Sequence, residues 1–211
     1  MVELGLRRTE RGLSLIEVAI LLLVTFAIIG ALAPTLMATV RHAEATAATT
    51  AMNEIRDQTL AALGDMNYSR FTWDGSNNAG QRVLTLVSDG DTPREVSASG
   101  SATWQTVVDN ATGLTDFLER HLVTNDPRGN PANAYPTAGA NQWRGAYLTA
   151  PIDPDPWGNR YAVNTQYLGG GAGGTNDVVV YSAGPDETID SPYTANPLVV
   201  GGDDLIVLVE P

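Results

Sequence analysis

Two groups of carboxylates fall where a side chain of that type has chemical consequences. The first is a single residue. Glu17 lies near the start of the run 12-GLSLIEVAILLLVTFAIIG-30, and no charged residue occurs from Val18 to Val40. An ionisable side chain at the edge of a stretch apolar enough to enter a bilayer is costly and by default functional. Ser14-Leu15-Ile16-Glu17 also has the form of a capping box, in which an acid three residues after a serine ties off free N–H groups at a helix start. The second group is Asp186, Asp190, Asp203 and Asp204. Hard cations such as Ca2+ take carboxylate and carbonyl oxygens, so a loop that gathers these acids is a candidate calcium site. Acids in turns are as commonly just solvated.

No other constellation assembles a reaction. The chain has no Cys, which removes disulfides, thiolate metal sites and a Cys nucleophile. His42 and His121 are isolated in sequence, and there is no H-E-x-x-H, G-x-S-x-G or phosphate-binding loop. The run Gly169–Gly174 formally matches G-x-G-x-x-G, but valines at 178–180 follow it instead of a helix, so it reads as a hairpin loop. Asp153-Pro-Asp155-Pro-Trp157 departs from an EF-hand loop and reads as a turn with Trp157 and Tyr161 packed beneath it, and Trp143 and Tyr147 read the same way. Lys and Arg total 12, all of them Arg, against 24 acids, for a net charge of −12. That balance argues against nucleic-acid phosphates as a partner. The expectation is a protein that is not an enzyme.

These residues need elements to place them. The apolar run exceeds the roughly 20 residues a bilayer-spanning helix needs, and Arg7, Arg8 and Arg11 precede it. The positive-inside rule then keeps the first residues in the cytoplasm and sends the C-terminal body across. Ala31-Leu32-Ala33 imitates a signal-peptidase site, but Pro34 follows at once and the run is long for a signal peptide. Met52, Ile55, Thr59 and Leu63 recur at helical spacing, so the helix is predicted to continue to about Leu63, with Gly64 as its stop. It is apolar all round at first and amphipathic later, with a kink near Pro34. Strand patterns at 82–88 and 94–97 flank the turn Asp89-Gly90-Asp91. A short helix is expected at 112–122, a Pro/Asn/Gly-rich loop at 125–142, and strands at 177–182 and 205–209. The predicted fold class is α+β: a long N-terminal helix, kinked near Pro34, packed against a small antiparallel β-sheet.

The order basic residue, Gly, apolar residue, hydroxyl, two apolar residues, Glu and apolar run in 11-RGLSLIE-17 resembles the class III signal of type IV pilins and type II secretion pseudopilins. Trp143-Arg-Gly-Ala-Tyr-Leu148, Asp155-Pro-Trp-Gly-Asn-Arg-Tyr161, Tyr181-Ser-Ala-Gly-Pro-Asp186 and Gly201-Gly-Asp-Asp-Leu-Ile206 follow in the order of similar motifs in the major pseudopilins of type II secretion, D-P-W-G-N being the most specific. The resemblance covers about 11–64 and 112–206, and leaves 65–111 as an insertion. It implies a pilin-like fold and a leader of residues 1–12 cut after Gly12 by a prepilin peptidase that also methylates Leu13. It further implies a transmembrane or filament-core helix segment at 13–40 and a periplasmic globular domain at 41–211. Glu17 is then the assembly residue that meets the new amine of a neighbouring copy's Leu13, an ion pair that low dielectric strengthens.

The function implied is that of a structural subunit of a type IV pilus-like filament, most like a type II secretion pseudopilin whose assembly drives protein export across the outer membrane. Alternatives are a major or minor pilin of a type IV pilus and a membrane-anchored periplasmic binding protein. The partners implied are copies of itself in a helical homo-oligomer, the prepilin peptidase/methyltransferase, an inner-membrane assembly platform, minor pseudopilins and the membrane. The chain would sit in the inner membrane before assembly and in a periplasmic or cell-surface filament afterwards. In the family the acidic loop binds one calcium ion. Its ligands fall on Asp186 and on Asp203 or Asp204, with Asp190 a further candidate.

Overall fold

The structure is a computed structural model that describes residues 14–95, 104, 115–170, 176–193 and 199–210. The chain divides after Ala43 into two units, and one helix, α1 (Leu15–Met66), belongs to both. In the first unit α1 is apolar on all sides, so no packing stripe forms, and Leu15, Leu23 and Phe26 are each at least 70% exposed. The hydroxyls of Thr25, Thr35 and Thr39 donate to carbonyls three or four residues back. They therefore dilute the apolar run without leaving unsatisfied donors in it. The helix runs on through Pro34 without interruption.

In the second unit α1 is amphipathic. Ala48, Met52, Ile55, Thr59, Ala62, Leu63 and Met66 are buried, at the spacing that lays one face of a helix on a core. Gly64 does not end the helix. The stop is three residues on, where Asn67 takes φ 51°. Tyr68 N–H bonds to Leu63 O and Asn67 N–H to Gly64 O, the two bonds of a Schellman motif. Asn tolerates this left-handed position through its short polar side chain.

The main sheet has five strands in the order β3-β1-β4-β5-β7: β1 (Thr85–Val87), β3 (Thr115–Phe117), β4 (Ala162–Val163), β5 (Val178–Ser182) and β7 (Leu205–Glu210). Its pairings are antiparallel except β1 with β3, which is parallel. The sheet is therefore mixed, where a purely antiparallel one was expected. A two-stranded parallel pair joins β2 (Arg94–Glu95) to β6 (Thr188–Ile189). The strand patterns at 82–88 and 94–97 thus feed different sheets across the Asp89-Gly90-Asp91 turn, with 96–97 outside the described residues. The expected helix at 112–122 is a strand followed by a short helix, β3 and then α2 (Leu118–Leu122), with 112–114 outside the described residues. Asp116 explains the switch: it is buried and bonded, which an amphipathic helix face would not require.

Val178–Val180, Leu86, Val87 and Val163 pack with Met52, Ile55 and Met66 in one core. Phe71, Val83, Leu86, Val87 and Trp104 belong to it, so the described part of the stretch 65–111 contributes to the core and supplies strand β1. Trp104 stacks on Tyr181 at 4.8 Å and meets Tyr193 edge-on at 4.7 Å.

Candidate functional site

At the start of α1 the capping box forms. Ser14 N–H donates to Glu17 Oε2 at 2.7 Å, and Glu17 N–H donates to Ser14 Oγ at 3.3 Å. Glu17 is exposed, and among the described residues it forms no ion pair. Gly12 and Leu13 lie outside them. From Leu15 the helix is long and apolar enough to cross a membrane, and its most apolar window is wholly exposed. A solvated soluble protein rarely shows an apolar surface of that length unless lipid or another chain covers it.

The acidic loop sits where β5 and β7 turn out of the sheet. Asp204 is 5% exposed. Its Oδ1 accepts from the Tyr181 hydroxyl at 2.6 Å, and its Oδ2 accepts from the N–H groups of Asp190 at 3.0 Å and Ser191 at 2.6 Å. Burial raises its pKa against the lowering effect of these donors. Asp204 is thus a clasp that holds the 190–191 segment to the start of β7. Asp186, Asp190 and Asp203 are exposed. Burial and then the neighbouring Asp186 raise the pKa of Asp203, which identifies Asp186 and Asp203 as a like-charge pair. Asp186 Oδ1 accepts from Thr188 N–H at 2.8 Å. Gly184 (φ 69°) and Gly202 (φ 51°) let the two arms cross where a Cβ would strike Asp203 or Asp190. Among the described residues no group of three or more metal-ligating side chains forms; Asp186, Asp190 and Asp203 present exposed carboxylates, whereas Asp204 spends both oxygens on hydrogen bonds.

Asp155 of D-P-W-G-N is 4% exposed. Its Oδ1 accepts from Trp157 N–H at 3.1 Å and Asn159 N–H at 2.9 Å, and its Oδ2 from Ser182 Oγ at 2.7 Å. The motif is therefore a turn pinned to the end of β5, as its prolines suggested, and Tyr161 is buried beside it. Gly169 and Gly170 lie between β4 and β5, which are antiparallel neighbours. A dinucleotide fingerprint belongs to a parallel β-α-β unit, which these two strands do not form; residues 171–174 of the expected hairpin loop lie outside the described residues.

One cluster escaped the sequence. His121, isolated in the chain, is fully buried between two partners: Nε2 lies 3.1 Å from Asp116 Oδ2, and Nδ1 lies 2.7 Å from the Tyr135 hydroxyl. Asp116 also accepts from Arg120 at 2.7 Å and from Arg128 N–H at 2.6 Å. The Tyr135 hydroxyl reaches Thr72 O at 3.0 Å. The network ties β3 and α2 to the loops at 72 and 135. Every member of the cluster has a hydrogen-bond partner within it or on the backbone around it. No family model, curated protein or solved structure matches the chain.

Proposed function

We propose that this chain is the structural subunit of a type IV pilus-like filament, most like a type II secretion pseudopilin. The observation that carries the reading is α1: one helix exposes an unbroken apolar surface in its first unit, carries a single carboxylate at its start, and buries an amphipathic face in the second. Before assembly the apolar half lies in the inner membrane. In the filament sister helices replace the lipid, an exchange with little hydrophobic gain or loss that keeps extraction reversible. The prepilin peptidase cuts after Gly12, and Glu17 meets the amine of a neighbour's Leu13.

Two measurements test this. Intact mass with and without the prepilin peptidase should show loss of residues 1–12 and gain of one methyl group. An uncut, monomeric chain would instead be a membrane-anchored periplasmic domain. The second measurement separates Glu17's two possible jobs. Glu17→Gln keeps an acceptor for Ser14 N–H and removes the charge. A capping residue tolerates that change, whereas an assembly residue does not. We expect Glu17→Gln to insert normally and form no regular filaments. Normal filaments would reduce Glu17 to a helix cap.

Calcium belongs to the same reading, at Asp186 and Asp203. A divalent cation there would relieve the repulsion of the pair and supply a charge clamp for the loop. Titration of the full chain in detergent should raise its melting temperature, and a chelator should reverse the rise. Melting indifferent to both would remove calcium from the proposal.

A further inference from the structure

Arg70 and Arg82 stand together at one end of the main sheet. Thr72 bridges Arg82 in an antiparallel pair, and Val83 N–H bonds to Phe71 O at 3.0 Å. Arg70 lies in the bend that leads into this bridge, near enough that its charge, after burial, lowers the pKa of Arg82. Like charges in that position repel. Among the described residues neither guanidinium has a carboxylate within ion-pair reach. Arg82 donates to Gln166 O at 2.6 Å, yet its Nε is buried with no acceptor. Among the described residues Arg70 hydrogen-bonds to Ser69 Oγ. In a chain of net charge −12, these two cations stand without a carboxylate partner among the described residues.

The sheet places the acidic loop at the opposite end. Arg82 precedes the start of β1, beside Gln166, whose N–H bonds to Leu84 O at 2.9 Å. Leu86 pairs with Val163 and Val163 with Val180, and Ser182 pairs with Leu205 at the far end. Asp186 and Asp203 extend from that far end, with Glu187 and Asp190 exposed beside them. Asp177 and Glu210 flank β5 and β7 at the Arg82 end, so the cations of that end lie on the β1 side; at the acidic end the exposed Arg94, paired with Thr188, is one cation among the four acids.

We propose that the Arg70–Arg82 end of one copy receives the Asp186–Asp203 end of a second copy, head to tail. The two patches differ, so the contact is heterologous, and repetition produces an open filament instead of a closed dimer. One patch lies on the β1 side and the other on the β5–β7 side, so successive copies are turned as well as shifted. A cation held by Asp186 and Asp203 would leave Glu187 and Asp190 acidic. This proposal rests on the filament reading for its second copy and adds a contact independent of Glu17.

The chain lacks Cys, so introduced thiols report cleanly. The probe is full-length chain carrying both Ala79→Cys, three residues before Arg82, and Glu187→Cys, treated in chelator with a short bis-maleimide. We expect a ladder of trimers and longer species from the double variant, and no species beyond dimer from either single variant. Adding Arg70→Glu with Arg82→Glu should weaken the ladder about tenfold or more. Further addition of Asp186→Arg with Asp203→Arg, which restores opposite charges, should recover it. If reversing Arg82 lowers the melting temperature, Arg70→Glu alone carries the comparison. Regular filaments without the ladder would overturn the head-to-tail contact and leave the filament reading standing. Absence of both filaments and ladder would overturn the two together.

Discussion

At the residue scale the buried acids divide by sign. Burial alone would raise the pKa of Asp116, but the hydrogen bond and charge of His121, then the N–H groups of Arg128 and Phe117, pull it down to about 2. A carboxyl lowered in the folded state contributes stability above its ordinary pKa and loses it as pH falls through the folded value. The shift corresponds to ~2 kcal/mol. Asp116→Asn should therefore lose that contribution at neutral pH and melt with a flatter acid limb between about pH 4 and 2, read by denaturant titration across pH. Asp155 is raised, by burial first, against its hydrogen bonds from Ser182 and the 157–159 backbone. Its sign is opposite: it costs stability as pH rises past the ordinary carboxylate value. Its hydrogen bonds still matter, and Asp155→Ala should cost about 3 kcal/mol in urea unfolding by stranding three donors. Asp155 was legible because Pro and Gly mark its turn. The Asp116–His121–Tyr135 cluster was not, because its members meet only through the β3-to-α2 switch and a loop 14 residues downstream of His121.

At the element scale α1 was the most legible part of the chain, since long periodic patterns outlast local exceptions. Its end was misread because glycine is the commonest residue in the left-handed position after a helix. The sequence offers Gly64 there, but the Schellman bonds close on Asn67. Gly64 is exposed, and a Cβ added to it meets nothing within 4 Å. Gly64→Ala should then stabilise by ~0.5–1 kcal/mol, the helix preference of Ala over Gly. Asn67→Val should destabilise by ~1–2 kcal/mol because a β-branched residue resists positive φ. Thermal melting of the pair checks both signs; stabilisation by Asn67→Val would remove the assigned stop. The strands were legible by type but not by partner. Pairing depends on long-range register, and a two- or three-residue strand such as β1 or β4 carries too little pattern to announce a parallel neighbour.

At the scale of the whole molecule, the chain joins a helix segment long and apolar enough to cross a membrane to a body with its own buried core. The composition break near residue 41 was visible in the text, and it coincides with the division after Ala43. The stretch 65–111 was less legible. No motif of the pilin resemblance falls in it, yet Phe71, Val83, Leu86 and Val87 are buried in the same core as Met52 and Ile55. Residues that complete a core need only volume and apolarity, which no motif records. The division predicts that damage to one unit stays in it. Ile28 is 54% exposed, whereas Ile55 is fully buried. Ile28→Arg should cost ~3 kcal/mol in membrane insertion, the scale of a cation placed in a spanning helix, and leave the melting of the 44–211 unit unchanged. Ile55→Ala should lower that unit's stability by ~2–5 kcal/mol, as buried aliphatic truncations do, and leave insertion unchanged. Insertion is read by carbonate extraction of membranes and melting by circular dichroism of the full chain in detergent. If Ile28→Arg shifts the melt, or if Ile55→Ala releases the chain from the membrane, the two units share their stability, and the helix cannot exchange lipid for sister helices while its body stays folded.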